Sequence, residues 1–268
     1  MANEDTGTPT RSPQPAQEGR ASIRIGIVNV NTSESMTQTI LAAARSVAAQ
    51  GTTVLGLTPA IGPASVENHV EAILSATGVL SAVREYTADP TRTPVDAWIL
   101  AGYGDQGKEA LMELVDVPVV DITEAAAVAA MAIGDRYAVV TTLDRTVPMI
   151  RERLAAAGVA ARCASVRGTG LGVLELEEDA TSTDRAILAR ADEALAQGAE
   201  VICLGCAGMA GRAGELSSRL GAPVVDGVAA AVGQAESLVR QGLGTSRVGT
   251  YAPRSPKPLA GFGEFEVE

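Results

Sequence analysis

A chain of 268 residues can form one large α/β domain or two smaller ones, and its 46% hydrophobic content and 28 glycines suit a buried α/β core. The net charge of −11 and the 3% aromatic content argue against nucleic acid and anionic membranes as partners. No secretory signal is visible, no apolar run approaches the roughly 20 residues that span a bilayer, and three cysteines form no disulfide framework, so a reduced, cytoplasmic protein is expected.

Residues 1–21, rich in Thr, Pro, Gln, Glu and Gly, read as a mobile tail. The first strand runs from Ile23 to Val28 and enters Asn29-Val30-Asn31-Thr32-Ser33, a turn and helix-cap sequence that starts a helix from Glu34 to Gln50. Thr53 to Leu57 is the next strand, and a loop over Pro59 to Ser65 leads to a helix from Val66 to Tyr86. Ala97 to Ala101 is the third strand, Leu111 lies on a short helix, and Val117 to Val120 is a further strand. A helix over Glu124 to Ile133 and a strand over Tyr137 to Val140 then lead into Thr141-Thr142-Leu143-Asp144-Arg145-Thr146 and a helix through Ala157. The last helix spans about 227–241, and the proline-rich segment after Gly244 is expected to be irregular, wrapping the surface or a partner subunit of a homo-oligomer.

The chain repeats itself. Asp96-Ala97-Trp98-Ile99-Leu100-Ala101-Gly102-Tyr103-Gly104 matches Glu200-Val201-Ile202-Cys203-Leu204-Gly205-Cys206-Ala207-Gly208, and each copy leads to Pro-Val-Val-Asp, at 118–121 and 223–226. The start Arg24 to Asn29 likewise resembles Arg136 to Thr141. Alternating strands and helices in duplicate predict an α/β fold of two pseudo-symmetric lobes, each a mostly parallel sheet flanked by helices. The expected division is a tail over 1–21, lobe 1 over 22–122 and 226–247, lobe 2 over 123–225, and an irregular tail over 248–268. Ligands in such folds sit beyond the carboxyl ends of the strands, so the turns at 29–33, 102–107, 141–146 and 206–211 are expected to converge on an interlobe cleft.

In the register of the repeat, Cys206 faces Gly102, so a two-fold site needing one thiol from each half has only one. A thiol at a strand-to-helix junction is expected to be exposed to the cleft, with its pKa lowered by the helix amino terminus and the N–H groups of its small neighbours free for an oxyanion. The alternative is a small buried hydrophobe. Cys163 and Cys203 read as structural, and the C-x-x-C spacing of Cys203 and Cys206 is poor geometry for zinc, so no metal is expected. Asn31, Thr32 and Ser33, and Thr141, Thr142 and Thr146, either cap helices alone or also hold carbonyl or carboxylate oxygens. Arg145 pairs with Asp144 or is solvated. Glu67 and Glu71 read as solvated helix-surface carboxylates, and the single histidine, His69, as a surface or packing residue rather than a catalytic one.

Taken together, the segments Val28 to Ser33, Gly104-Asp105-Gln106-Gly107, Val140 to Arg145, Leu204 to Met209 and Pro223 to Gly227 resemble the aspartate/glutamate/hydantoin racemase superfamily over roughly residues 23–250, most closely its hydantoin and allantoin racemase branch. The resemblance implies two pseudo-symmetric lobes, no cofactor, and two cysteines facing each other across the cleft, one removing the proton at a stereocentre and the other reprotonating the opposite face. The second cysteine matches Cys206; the first matches Gly102, which has no proton to give. Val30 stands where many relatives have proline. The small-molecule substrate is expected to carry carbonyl or carboxylate groups held by Asn31, Thr32, Tyr103, Gly104, Asp105, Thr141, Thr142, Arg145, Ala207 and Gly208. Three readings follow: a racemase with an altered second proton route, a one-sided decarboxylase like the arylmalonate decarboxylases of the superfamily, or a binding protein that has lost catalysis.

Overall fold

A computed structural model describes residues 22–266; the tail expected over 1–21 lies outside the described residues. Two four-stranded sheets, all of whose pairings are parallel, form the core. The first, in the order β2-β1-β3-β4, contains β1 (Ile23–Asn29), β2 (Thr52–Leu57), β3 (Ala97–Ala101) and β4 (Val119–Asp121). The second, in the order β6-β5-β7-β8, contains β5 (Tyr137–Thr141), β6 (Cys163–Gly168), β7 (Val201–Leu204) and β8 (Val224–Asp226). The two orders are the same topology, as the sequence repeat requires.

The helices are α1 (Glu34–Val47), α2 (His69–Ala88), α3 (Lys108–Leu114), α4 (Ile122–Ile133), α5 (Val147–Ala156), α6 (Ala180–Leu195), α7 (Ala213–Leu220) and α8 (Gly227–Arg240). Helix α2 starts at His69 rather than Val66 because Asn68 adopts an extended conformation and its side chain accepts the Glu71 N–H, fixing the start. Glu67 therefore precedes the helix. Strand β6 and helix α6 complete the second lobe where the sequence reading is silent. Among the described residues after α8, the regular elements are single helical turns at Gly249–Tyr251 and Gly263–Phe265.

The repeated Pro-Val-Val-Asp has a structural meaning. Asp121 caps α4 by accepting the Glu124 N–H at 2.8 Å, and Asp226 caps α8 by accepting the Val228 N–H at 2.8 Å. Each cap turns its helix away from its own sheet. Helix α8, which follows β8, buries Val228, Ala231, Val232 and Ala235 with Ile25, Ile27 and Ile99 of the first sheet. Helix α4, which follows β4, buries Ala126, Ala127 and Ala130 with Tyr137, Val139 and Cys203 of the second.

Buried charge also joins the halves. Arg153 on α5, 3% exposed, donates to Asp121 at 3.0 Å from Nε and 2.6 Å from Nη2, and reaches Glu109 at 2.7 Å and Glu124 at 2.5 Å. Among the described residues, no helix is long and apolar enough to cross a membrane.

Candidate active site

Four strand ends meet at one cavity of about 40 Å³. From β1 come Asn29, Val30 and Asn31; from β3, Gly102, Tyr103 and Gln106; from β5, Thr141, Thr142 and Thr146; from β7, Gly205, Cys206 and Ala207. Met36, Val66, Met149 and Val173 close it with apolar surface.

The β1 side is rigid. The Asn29 Nδ2 donates to Asn31 Oδ1 at 2.9 Å, to Thr37 Oγ1 at 3.0 Å and to the Ser33 carbonyl at 3.1 Å. Asn31 Oδ1 also accepts the Ser33 N–H at 2.9 Å, so that oxygen is fully engaged inside the protein. Asn31 Nδ2 meets only the weak sulfur acceptor of Met36, at 3.3 Å, and is the group left to donate to a ligand. On the β5 side, Thr141 Oγ1 donates to the Gly205 carbonyl at 2.9 Å and ties β5 to β7. The Thr142 hydroxyl, buried and lining the cavity, bonds to no described residue.

Cys206 lies at the end of β7, just before a single helical turn at Ala207–Met209. The amides of Cys206 and Ala207 donate to no protein acceptor among the described residues, and neither does that of Tyr103. The Gly104 amide differs from expectation: it donates to Thr123 Oγ1 at 3.0 Å and is not free for an oxyanion. The expected depression of the Cys206 pKa is also reversed. Burial pushes the thiol up to about 11; the Gly208 N–H pulls it down, and the Glu67 carboxylate pushes it up. One short turn of helix offers a weak dipole, and desolvation outweighs it. Resting Cys206 is a thiol, half-buried, and not a thiolate.

Gly102 is not among the glycines with positive φ, so its backbone would accept a side chain. Space would not. A Cβ there would stand 2.5 Å from Val30 Cγ1 and 2.9 Å from Gln106 Cδ, with Gln106 Oε1 closer still. Gln106 folds back because Gly104 and Gly107 take φ values of +126° and +87° that side-chain-bearing residues rarely adopt.

Residues 25–235 match the family described as Asp/Glu/Hydantoin racemase. The chain belongs to this family. It is 39% identical to a hydantoin racemase of Rhizobium meliloti over 240 residues, covering 89% of this chain and 98% of that one. Among solved structures it is 55% identical to the allantoin racemase of Pseudomonas fluorescens, with a TM-score of 0.85 and coverage of 88% and 99%, and 40% identical to that of Klebsiella pneumoniae, with a TM-score of 0.86 and coverage of 91% and 98%. An unliganded arylmalonate decarboxylase, 22% identical with a TM-score of 0.55 over 81% of this chain and 93% of its own, shares the fold. The protein is a racemase-family enzyme related to the hydantoin and allantoin racemases, and Cys206 is the one cysteine among the cavity-lining residues.

Of the residues singled out from sequence, Cys206, Gly102, Asn31, Tyr103, Thr141, Thr142 and Ala207 line the cavity of this racemase-family site. Thr32, Gly104, Asp105, Arg145 and Gly208 do not. Thr32 donates its N–H to the Pro63 carbonyl at 3.0 Å, Asp105 is exposed and accepts the Gly107 N–H, and Arg145 is exposed. The Tyr103 hydroxyl is buried without a partner among the described residues, and burial pushes its pKa up beside Cys203, Tyr137 and Cys163. Glu67 is no solvated surface group: its Oε1 accepts the Val173 N–H at 3.0 Å and its charge reaches Cys206. Gln106, Glu67, Met36 and Val173 escape sequence reading, although Gln106 stands inside the Gly104 to Gly107 motif. No group of three or more metal-binding side chains occurs among the described residues.

Proposed function

We propose that this enzyme acts on a five-membered cyclic ureide of the hydantoin or allantoin kind and moves the proton on its acidic ring carbon through Cys206. The observation that carries the reading is a lone thiol lining the cavity, with unengaged amides on Cys206 and Ala207 beside it. Identity to hydantoin and allantoin racemases supports the substrate class. The Cys206 sulfur, as thiolate, takes the ring-carbon proton, and the electron pair moves onto the adjacent carbonyl oxygen. That enolate oxygen is met by the free amides, with Asn31 Nδ2 and the Thr142 hydroxyl as further donors. The Cys206 S–H then returns the proton. At pH 7, a pKa of about 11 leaves roughly one thiolate in 10,000. The three free cysteines fit a cytoplasmic, reducing setting.

Cys206 serves one face of the ring. The other face has Gly102 where the family has a thiol, and inversion there depends on a solvent-derived proton. Incubation of each enantiomer of a 5-substituted hydantoin in deuterated water tests this. One enantiomer exchanges its ring-carbon proton several-fold faster than it loses optical rotation. Equal rates of exchange and racemisation, or no exchange, would reject the single-thiol reading. A second reading, one-sided decarboxylation of a substituted malonate, is favoured by Cys206 being the cavity's lone thiol. Carbon dioxide release with one product enantiomer would establish it.

A further inference from the structure

Gln106 is 2% exposed, lines the same cavity as Cys206, and its Oε1 is buried without a hydrogen-bond partner. Neither end of its carboxamide bonds to any described residue. Folded proteins pair nearly all buried polar atoms, and an unpaired one is costly. The side chain is held there by the loop rather than by bonds of its own: two positive-φ glycines turn it into the space beside Gly102. A carboxamide in that state is an empty half of a hydrogen-bonded pair.

We propose that Gln106 is a substrate-positioning residue that pairs its carboxamide with the cis-amide edge of the ring, an N–H beside a C=O. This rests on the cyclic-ureide reading above. The chemistry selects the partner. Oε1 can only accept and Nε2 can only donate. A five-membered cyclic ureide presents a donor and an acceptor side by side in one plane and satisfies both. A malonate dianion presents acceptors alone and leaves the buried Oε1 unpaired. Two parallel hydrogen bonds also fix the ring plane, and a fixed plane sets which face meets Cys206. The Gln106 carboxamide thus fills the space beside Gly102 with a group that orients the ring and moves no proton.

The test uses the full-length enzyme, Gln106→Leu, and a 5-substituted hydantoin with its N1-methyl and N3-methyl derivatives. Leucine keeps the bulk and removes both polar atoms; Gln106→Met serves as a second apolar replacement if the leucine variant folds poorly. Deuterium exchange at the ring carbon gives kcat and KM for each pair. In the parent, one methylated isomer loses at least about 100-fold in kcat/KM, because the site rejects a ligand lacking the expected N–H. In the apolar variant that discrimination disappears, and KM for the unmethylated ring rises more than kcat falls. Discrimination retained by both apolar variants would overturn the role of Gln106 while leaving the ureide reading in place. No exchange or binding of any hydantoin by the parent would overturn the ureide reading and the pairing with it.

Discussion

Gln106 stands where a side chain on Gly102 would have to go. A Cβ at Gly102 would be 2.9 Å from Gln106 Cδ, and Val30 Cγ1 would crowd it from another side at 2.5 Å. A side chain at Gly102 therefore competes with Gln106 for the same space.

Restoring the missing thiol is therefore expected to need two substitutions. Gly102→Cys alone overpacks the site and lowers stability by about 1–3 kcal/mol. With Gln106→Ala as well, the thiol has room. At saturating substrate, where the weaker binding caused by losing the Gln106 carboxamide is overcome, racemisation of a 5-substituted hydantoin then rises at least about tenfold over the parent, toward the 100- to 10,000-fold typical of a placed proton donor. Polarimetry on the single and double variants checks this; a single variant as stable and as fast as the double would show that Gln106 is no obstacle.

Cys206→Ala is expected to reduce proton exchange by about 100- to 10,000-fold with an unchanged circular dichroism spectrum. Cys203→Ala is the control: its thiol is fully buried in the second lobe and its Sγ meets the Ala126 carbonyl at 3.6 Å. A loss of exchange in the control equal to that in Cys206→Ala, without unfolding, would dissolve the assignment.

The pH dependence has a definite sign. The base is the thiolate, and burial holds the Cys206 pKa up at about 11. Below that value the thiolate fraction falls tenfold per pH unit, so exchange at low substrate rises tenfold per unit from about pH 7 to 9. The Glu67 carboxylate raises the Cys206 pKa, so Glu67→Gln, which keeps an acceptor for the Val173 N–H, moves the rising limb to lower pH. An unmoved limb would mean that Glu67 does not act on the thiol.

Arg153→Met leaves the buried Asp121 carboxylate without the guanidinium that donates twice to its Oδ2 and is expected to cost about 3–5 kcal/mol, read as a lower urea midpoint. Asp121→Asn in the same chain removes the stranded charge and recovers part of the loss. Equal midpoints for parent and Arg153→Met would show that Asp121 is stabilised by other groups.

The strand ends were legible because apolar runs such as Ala97–Ala101 and Val201–Leu204 stop at small residues, and the repeat aligned Gly102 with Cys206 without any structure. Gln106 was not legible, because its placement depends on two glycine φ angles that a motif does not display. The direction of the Cys206 shift was missed for a related reason. A helix end is a local feature of the sequence, whereas the burial that raises the Cys206 pKa belongs to a cavity whose lining includes Met36, Val66 and Val173, residues distant in sequence. Strand β6 was missed because its residues are mostly half-buried at the sheet edge and carry little apolar signal.

The exchange of α4 and α8 between sheets has a consequence for how this chain can be divided. A chain cut after α4 would carry the first sheet without the Val228, Ala231, Val232 and Ala235 surface that covers it, and would leave Ala126, Ala127 and Ala130 of α4 in water. It has two complementary deficits, a bare sheet face and an unhoused helix, and a second copy of itself would cure both. Joining two such units in one chain converts an encounter between molecules into an intramolecular event. It also frees the two halves to differ, which is how one strand end can carry a thiol and its counterpart a glycine.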